Sequence, residues 1–409
     1  MNTKEEEHAK FTKEMQKRRR SRADKPFYPR EIYYNTQATI DTIRHFVNGY
    51  GDVNPLYRDP EYAKKTKYGT VIAPPCFLFS IQWVAPGAGG AGIHGWYSGG
   101  QWQWFRPVHE GDKIHAVCCL RELVEKKGKM GGGKTWLDYS EPIYVNQKGE
   151  VVGSEKCWAI MAERTSSGSS GKYRKTLKPS YLSDRKKMQE IQSMYDDEEI
   201  RGKAPRYYED VEIGEKLAPM LKGPLTVRDM VGWLMGAGSP FFKAHKIEYE
   251  YEKRHPKAPM WVSELGIWDV PEMVHILDEF AREIGVERAY DYGCQRMTWL
   301  SNLFTNWIGD DAWLWKMRGE LRVFNQVGDI TIFEGKVVDK YIDNGKCCID
   351  IEAWAKNQRD ENSMPPSIAT VILPSRQHGS VVYPEVPDQL KREVENARPL
   401  NDLIEEGLI

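Results

Sequence analysis

The sequence predicts an α+β fold in which one buried helix is wrapped by an antiparallel sheet, and it predicts this arrangement twice. Three observations support the prediction. Amphipathic segments of similar pattern begin at Thr39 and at Thr226. Apolar segments of helix length follow Tyr68 and Tyr292. Alternating, strand-like runs that contain Gly-Asp and Asn-Gln turns come after each apolar segment.

The first pair of segments, "TIDTIRHFVNGYGD" and "TVRDMVGWLMGAGS", predicts two equivalent helices. Each begins with Thr, a residue that caps helix N-termini, and each ends in a Gly-rich turn. Their spacing is 226 − 39 = 187 residues, whereas the Gly-Asp turns are 328 − 111 = 217 residues apart and the Asn-Gln turns 357 − 146 = 211. The changing offset predicts insertions in a duplicated chain.

The largest insertion covers about residues 252–288, and its pattern predicts a helix from Pro271 to Ile284 with the proline in the first turn. The apolar segments "PPCFLFSIQWVA" and "MTWLSNLFTNWIG" predict the buried central helices of the two halves. The alternating run "WYSGGQWQWF" predicts a strand, and the Gly-rich run before it, "GAGGAGIHG", predicts a loop.

The domain organisation follows from these repeats. We predict a charged N-terminal arm (1–27), a first folding unit (28–164), a Ser-, Gly- and Lys-rich linker with a crossing helix (165–203), a second unit with the insertion (204–376) and a C-terminal tail (377–409).

Composition limits the class of protein. The 409 residues carry a formal net charge of −1, which argues against a nucleic-acid or anionic-membrane partner. The N-terminus has no apolar core and no apolar run is long enough to span a bilayer. The seven cysteines show neither CxxC spacing nor a Cys-His cluster, so we expect no metal site, and a reduced, cytoplasmic protein.

Several motifs together resemble one family. The first half contains "GYGDVNPLYRDPEYA", "YGTVIAPPCFL" and "RPVHEGD"; the second contains "KGPLTVRDMVGW", "YDYGCQRMTWLSNLFTNWIGDD" and "RVFNQVGD". With these motifs the chain resembles the MaoC-like enoyl-CoA hydratase/dehydratase family in its double-hotdog form, with a FAS1-like dehydratase N-terminal domain. The resemblance covers most of residues 28–374.

The resemblance implies a function. It implies an acyl-CoA thioester in a tunnel between two hotdog units and reversible hydration of a 2-enoyl-CoA to a 3-hydroxyacyl-CoA. An Asp and a His of the motif Gly-Asp-x-Asn-Pro-(aliphatic)-His would hold the water, and a backbone N–H at the start of the central helix would polarise the carbonyl. Coenzyme A would be part of the substrate, with no other cofactor. A homodimer or a hetero-oligomer with a related subunit is expected.

The motif maps onto named residues of the first half. Asp52 takes the place of the acid, Asn54 is expected to orient it at the substrate, and Tyr57 stands where the resemblance places the histidine. A tyrosine, with an ordinary pKa near 10, is a donor or acid rather than a base at neutral pH. Because Pro74 and Pro75 have no N–H, the carbonyl donor is expected at Cys76 or the next residue.

The second half departs further from the motif. Ser239 falls at the position of the acid and Ala244 at that of the histidine, with His245 one residue beyond. Arg296, near the start of the second central helix, is predicted either to bind a carboxylate, a phosphate or the thioester oxygen, or to pair with Asp291.

Three functions remain open on this evidence. The first is a hydratase or dehydratase with a composite site in which Asp52 is completed by Tyr57, His245 or Arg296. The second is a non-catalytic acyl-CoA-binding subunit of a hetero-oligomeric hydratase. The third is a lyase or thioesterase on the same fold.

Overall fold

A computed structural model describes residues 10–29, 34–83, 93–127, 134–163 and 184–406. Its strands are β1 (Phe27–Tyr28), β2 (Ile93–Trp104), β3 (Ile114–Lys127), β4 (Lys134–Asn146), β5 (Val151–Glu163), β6 (Met220–Lys222), β7 (Met260–Val262), β8 (Ile267–Asp269), β9 (Trp313–Glu320), β10 (Thr331–Asp343), β11 (Lys346–Asn357), β12 (Asn362–Ile372) and β13 (Arg398–Pro399). Its α-helices are α1 (Lys13–Ser21), α2 (Ile40–Tyr50), α3 (Pro60–Ala63), α4 (Arg185–Gln192), α5 (Val227–Ala237), α6 (Lys246–Arg254), α7 (Asp278–Glu283), α8 (Gly293–Ile308), α9 (Asp388–Glu395) and α10 (Leu400–Glu405). Short 3-10 helices lie at Pro55–Tyr57, Pro75–Ser80, Ser193–Tyr195, Tyr208–Asp210 and Pro271–His275.

One continuous sheet runs through both halves, in the order β13-β1-β3-β4-β5-β2-β9-β12-β11-β10-β6. The eight strands from β3 to β10 are arranged symmetrically about the pair β2–β9. Each strand of the first half has a counterpart in the second half at the same distance from this pair: β2 corresponds to β9, β5 to β12, β4 to β11 and β3 to β10. All of these neighbours are antiparallel. The duplicated α+β arrangement, a double hotdog, is therefore confirmed.

The two halves meet at the pair β2–β9, and the register of this pair identifies a local two-fold axis. Gln101 lies opposite Arg318. Their separation, 318 − 101 = 217, equals the offset between the Gly-Asp turns at Gly111 and Gly328. Equivalent residues of the two halves therefore face each other at this point, as in a symmetric dimer interface.

A second contact across the halves joins α2 and α5 through glycines. Thr39 and Thr226 cap these two helices, each in a capping box, so both helices begin as predicted. A Cβ added to Gly49 would lie 2.6 Å from the carbonyl oxygen of Gly232, and one added to Gly236 would lie 2.5 Å from that of His45. The glycines thus let the two backbones approach more closely than side chains would allow.

The central helices of the two halves differ in the structure. The helix α8 is buried over nearly its whole length, as predicted. In the first half, the described part of the corresponding segment is a 3-10 helix of six residues, Pro75–Ser80. Two consecutive prolines begin this segment; they supply no N–H to its first turn and restrict its backbone. Of the Gly-rich run that was predicted as a loop, residues 87–92 lie outside the described residues, and residues 93–95 form the start of strand β2 instead.

The insertion contains more than the single helix predicted from Pro271 to Ile284. It comprises α6, the hairpin β7–β8, the 3-10 helix Pro271–His275 and α7. The predicted helix is divided because the chain leaves helical geometry at Leu277, which has extended backbone angles and precedes α7.

Both ends of the described chain pack on the first half. Arg19 of α1 is 2% exposed and its Nε donates to Asp138 at 2.9 Å. In the tail, β13 pairs with β1, and Glu393 of α9 forms an ion pair with the buried Arg121 at 2.7 Å. Among the described residues, no helix is long and apolar enough to cross a membrane. A cytoplasmic location stays a prediction.

Candidate active site

Asp52 lies just after α2, where Gly51 reverses the chain with a φ of 77°. The side chain is 1% exposed. Its Oδ2 accepts the Tyr50 hydroxyl at 2.7 Å and its Oδ1 accepts the N–H of Asn54 at 2.8 Å. Burial raises the pKa of Asp52, because removal from water disfavours the charged form, while the two hydrogen bonds oppose the shift. The result is a carboxyl group held in one orientation with a raised pKa, as a general acid or base requires.

Two cations also act on Asp52, and one comes from the other half. Lys222 of β6 is 5% exposed, and its Nζ lies 3.4 Å from the carbonyl oxygen of Gly51. Arg58 donates to the Asp52 carbonyl at 3.1 Å. The positive charges of both favour the ionised carboxylate, although less than burial disfavours it. Burial in turn lowers the pKa of Lys222. Both halves of the chain therefore contribute a positive charge to the surroundings of Asp52.

Asn54 shapes the turn that holds Asp52. Its side-chain Oδ1 accepts the N–H of Leu56 at 3.0 Å and so caps the 3-10 helix Pro55–Tyr57. Its backbone N–H is the one bound by Asp52. This arrangement agrees with the orienting role predicted for Asn54, and a contact with substrate stays a prediction.

Tyr57 is 4% exposed, and its hydroxyl interacts with the Thr305 side chain on α8 of the second half. Burial, followed by the negative charges of Asp52 and Asp310, raises its pKa well above the usual range. A phenol in this setting stays protonated and donates a hydrogen bond. It is not the base that a histidine would be at this position.

A cavity of about 50 Å³ lies beside these groups, between the two halves. Such a volume accepts a water molecule. Asp310, at the end of α8, is one of its polar walls: its Oδ2 accepts the Tyr62 hydroxyl at 2.6 Å, and burial raises its pKa. The cavity is lined by residues of the first half and of the second, among them Asn54, Tyr57, Tyr68, Pro74, Pro75, Trp104, Thr305, Asp310 and Trp313.

Cys76 begins the first central segment, after the two prolines. Its thiol interacts with the Ser301 and Thr298 hydroxyls of α8, and burial raises its pKa to about 12, so it stays a neutral thiol. Among the described residues, the Cys76 N–H donates to no backbone carbonyl, whereas that of Phe77 donates to Pro74 at 2.9 Å. Its predicted role as the donor to a thioester carbonyl stays a prediction.

The remaining predicted site residues lie elsewhere. Arg296 pairs with Asp291, to which its Nε donates at 2.7 Å, and its Nη1 donates to the Val323 and Ser363 carbonyls at 2.6 and 3.2 Å. The ion-pair alternative for Arg296 therefore fits the geometry, and substrate binding stays a prediction. His245 begins α6 on the exposed surface of the insertion, and no contact joins it to Asp52 in the described residues. Its catalytic role also stays a prediction.

Three residues of the site were not predicted from the sequence. Tyr50 lies two residues before Asp52 in the quoted motif, and this position is the signal that could have identified it. Lys222, which acts on Asp52, and Asp310, which lines the cavity with Tyr57, come from the second half, and no local pattern marks them as part of the site. Within the described residues, no cluster of three or more His, Cys, Asp or Glu side chains could hold a metal ion.

Comparisons with known proteins agree with this fold and motif. Residues 34–155 match the family model described as the FAS1-like dehydratase domain region. A UPF0336 protein of Streptomyces griseus is 36% identical over 122 residues, which are 27% of this chain and 75% of that relative. A UPF0336 protein of Streptomyces avermitilis is 35% identical over 98 residues, 22% of this chain, and the alignment spans 63% of that relative's length.

Two further similarities concern function and fold. A protein of Thermomonospora curvata named "Probable enoyl-CoA hydratase alpha subunit" is 28% identical over 145 residues, 31% of this chain and 44% of that protein. A solved structure titled "MaoC-like dehydratase" has a TM-score of 0.60 and 14% identity, and covers 86% of this chain and 99% of its own.

Fold, motif and comparisons together define a double-hotdog protein in which residues 34–155 match a FAS1-like dehydratase domain region. The chain belongs to the family of the UPF0336 proteins, and it shares the fold of a MaoC-like dehydratase.

Proposed function

We propose that this protein is a hydro-lyase that reversibly hydrates a 2-enoyl-CoA to a 3-hydroxyacyl-CoA at Asp52. One observation carries the proposal: a buried carboxyl with a raised pKa is held by Tyr50 and Asn54, and Asn54 and Tyr57 of the same turn line a water-sized cavity at the junction of the halves. The family and the name of the Thermomonospora relative support the reaction class.

The chemistry assigns a step to each group. The Asp52 carboxylate takes a proton from water as the water oxygen bonds to C3, and the electron pair of the C2=C3 bond moves toward the thioester oxygen. The Cys76 N–H donates to that oxygen as its charge grows. Asp52 then returns the proton to C2, which completes the addition of one water. Tyr57 donates a hydrogen bond to the water and takes no proton.

The proposal does not depend on His245 or Arg296. A catalytic role for His245 would require its exposed side chain to enter the site. Substrate binding by Arg296 would require the buried pair with Asp291 to break, which leaves a charge unpaired and costs about 3 kcal/mol or more. Coenzyme A belongs to the substrate, and the site uses no other cofactor in this scheme.

The purified chain, incubated with a panel of 2-enoyl-CoAs, is expected to add one water to at least one of them, measured by mass. Asp52→Asn keeps the size of the side chain but removes the acid, so the rate should fall at least about a hundredfold. Asp41→Asn, on the exposed face of α2, is the matched control and should keep the rate. Equal rates for the Asp52 variant and the unaltered chain would contradict the assignment, and hydration of none of the substrates would contradict the function.

A second candidate is a non-catalytic acyl-CoA-binding subunit, favoured by the phenol at Tyr57 where an imidazole is expected and by the word "subunit" in the relative's name. A lyase or thioesterase on the same fold is the other alternative. We propose a homodimer or hetero-oligomer as the assembly. Activity that appears only when a related subunit is added would support the binding-subunit function, and release of free coenzyme A would indicate a thioesterase.

A further inference from the structure

The second half has lost the acid of the motif but keeps its hydrogen bond. Ser239 is the counterpart of Asp52, since 239 − 52 = 187 is the offset between the paired helices α2 and α5. The Ser239 hydroxyl oxygen accepts the N–H of Phe241 at 3.0 Å, as the Asp52 carboxylate accepts the N–H of Asn54 at 2.8 Å. The turn is therefore conserved between the halves while its carboxyl is replaced by a hydroxyl.

The insertion supplies a carboxyl at this position. Glu272, on the 3-10 helix Pro271–His275, accepts a hydrogen bond from the Ser239 hydroxyl. The counterpart of the buried acid thus comes from a segment that the first half does not contain. The spacing Glu-x-x-His in "PEMVH" is the sequence signal for Glu272 and His275.

Two rings complete the cluster at the start of α8. His275 stacks on Tyr292 with ring centroids 3.9 Å apart, and its Nδ1 lies 2.8 Å from the Tyr290 carbonyl oxygen. That carbonyl holds the proton on Nδ1, which leaves Nε2 as the acceptor of the neutral ring. The Tyr292 hydroxyl, beside the Glu272 carboxyl, completes no hydrogen bond of ordinary geometry among the described residues.

The cluster is not fully sealed from solvent. Ser239, Glu272 and His275 each keep an intermediate exposure, although burial is the main influence on the acid and on the imidazole. Tyr292, which directly precedes Gly293 and the first turn of α8, is 8% exposed. First-turn N–H groups of an α-helix have no acceptor within the helix, so they can bind a developing oxyanion.

The protonation states suit proton transfer at neutral pH. Burial raises the pKa of Glu272 to about 7, against the hydrogen bond from Ser239 and the influence of the nearby Tyr292 hydroxyl. Burial lowers the pKa of His275 to about 4. At neutral pH the carboxyl therefore exists in both forms and the imidazole is uncharged. A glutamine at position 272 could also accept the Ser239 hydrogen bond, through its amide oxygen. This contact of the insertion therefore does not require a side chain that titrates.

We propose that Ser239, Glu272, His275 and Tyr292 form a second acid–base site, which moves a proton at the carbon next to the carbonyl of an acyl thioester. The choice of a thioester rests on the proposed function; the proton transfer does not. The Glu272 carboxylate removes a proton from C2, the electron pair moves to the thioester oxygen at the start of α8, and the Glu272 acid returns a proton to C2. The atoms balance, with no co-reactant.

The test uses butyryl-CoA, a saturated thioester that cannot add water, with the full chain in D₂O. Deuterium should enter C2, measured by mass. Glu272→Gln should slow this exchange about a hundredfold, and Ser239→Ala should slow it less. Glu250→Gln, on the exposed face of the same insertion, is the matched control and should keep the rate. In hydrogen–deuterium exchange, butyryl-CoA should protect amides of residues 271–283 and 293–300.

The outcomes separate this proposal from the hydratase proposal. We expect Asp52→Asn to lose hydration and keep C2 exchange, and Glu272→Gln to show the opposite. If Glu272→Gln keeps the exchange rate, or if it lowers only the melting temperature, Glu272 is a structural link of the insertion and the second site is overturned. If Glu272→Gln does not fold, the test relies on Ser239→Ala and on the amide protection of residues 271–283. An unchanged rate of C2 exchange in Ser239→Ala, together with no amide protection by butyryl-CoA, also overturns the site.

Discussion

At residue 57 a phenol stands where the family resemblance implies an imidazole, and its surroundings explain why it cannot take that role. Tyr57 is held by Thr305 and lies near two carboxyl groups, Asp52 and Asp310, which raise its pKa further. A group that stays protonated positions water but does not activate it. In the proposed reaction the proton transfers therefore fall to Asp52 alone.

His275 gives a prediction for the dependence of stability on pH. Its pKa is about 4 in the folded chain against 6.5 normally. Between these values the unfolded chain binds a proton that the folded chain does not, so His275 contributes stability above pH 6.5 that is lost as the pH falls toward 4. We expect the free energy of unfolding of the unaltered chain, minus that of His275→Gln, to fall by about 3 kcal/mol from pH 7 to pH 4.

The comparison with His275→Gln is necessary because Glu272 acts in the opposite direction. Its raised pKa contributes stability at low pH that is lost between about 4.5 and 7. Urea unfolding at several pH values measures the difference. His255→Gln, on the exposed surface of the insertion, controls for the loss of an imidazole. A difference that does not vary with pH would show that the His275 ring titrates normally.

The candidate site was predictable from the sequence only where it is local. Asp52, Asn54 and Tyr57 lie in one motif, whose turn residues indicate that the carboxyl is fixed in place. Lys222, Asp310 and Glu272 come from distant parts of the chain. Their approach depends on how the halves and the insertion pack, which neither spacing nor periodicity records.

At the scale of elements, the pair α2–α5 predicts opposite effects for two glycines. Alanine at Gly49 would place its Cβ 2.6 Å from a backbone oxygen, so the helices must separate, at a cost of about 1–3 kcal/mol. Alanine at Gly232 meets its nearest neighbouring atom at 3.8 Å, which is ordinary contact, and alanine favours the helix by up to about 1 kcal/mol.

Urea denaturation of Gly49→Ala and Gly232→Ala tests this asymmetry, with each variant serving as the control of the other. The first should be destabilised, and the second should be unchanged or more stable. Similar losses in both would mean that the helices do not pack through these glycines.

The elements that the sequence predicted well have local signals. Thr39 and Thr226 mark the starts of α2 and α5, and the Gly-Asp turns at Gly111 and Gly328 have the positive φ angles, 94° and 97°, that glycine allows. The first central helix and the helix of the insertion were predicted too long. In the first segment, two consecutive prolines favoured a short 3-10 helix; in the insertion, the chain leaves helical geometry at Leu277, which separates a 3-10 helix from α7.

At the scale of the whole molecule, the shared sheet predicts that the halves stay together when the chain is cut. The seam β2–β9, the pair α2–α5 and the bond from Trp313 Nε1 to the Trp104 carbonyl at 2.9 Å all join them. A protease site inserted between residues 163 and 184 should therefore give two fragments that co-elute in size-exclusion chromatography and separate only in denaturant. Separation in plain buffer would contradict the joint sheet; the uncut chain is the control.

The repeats in the sequence predicted two similar halves but not how they join. The pairing of β2 with β9 connects strands more than two hundred residues apart, and an edge strand carries no local mark of its partner. The register of β2 and β9 pairs residues that are 217 positions apart, which is also the offset between the Gly-Asp turns. This agreement shows that the pair β2–β9 lies on the axis of the duplication.

The seam at Gln101 and Arg318 also bears on how such a molecule can evolve. In a dimer of identical chains, each substitution enters both copies, so a change that suits one site is imposed on the other. Here the two copies are encoded separately, and one can lose an acid, gain an insertion and recruit a new carboxyl while its partner keeps the ancestral turn. The fusion of the halves has made them free to specialise.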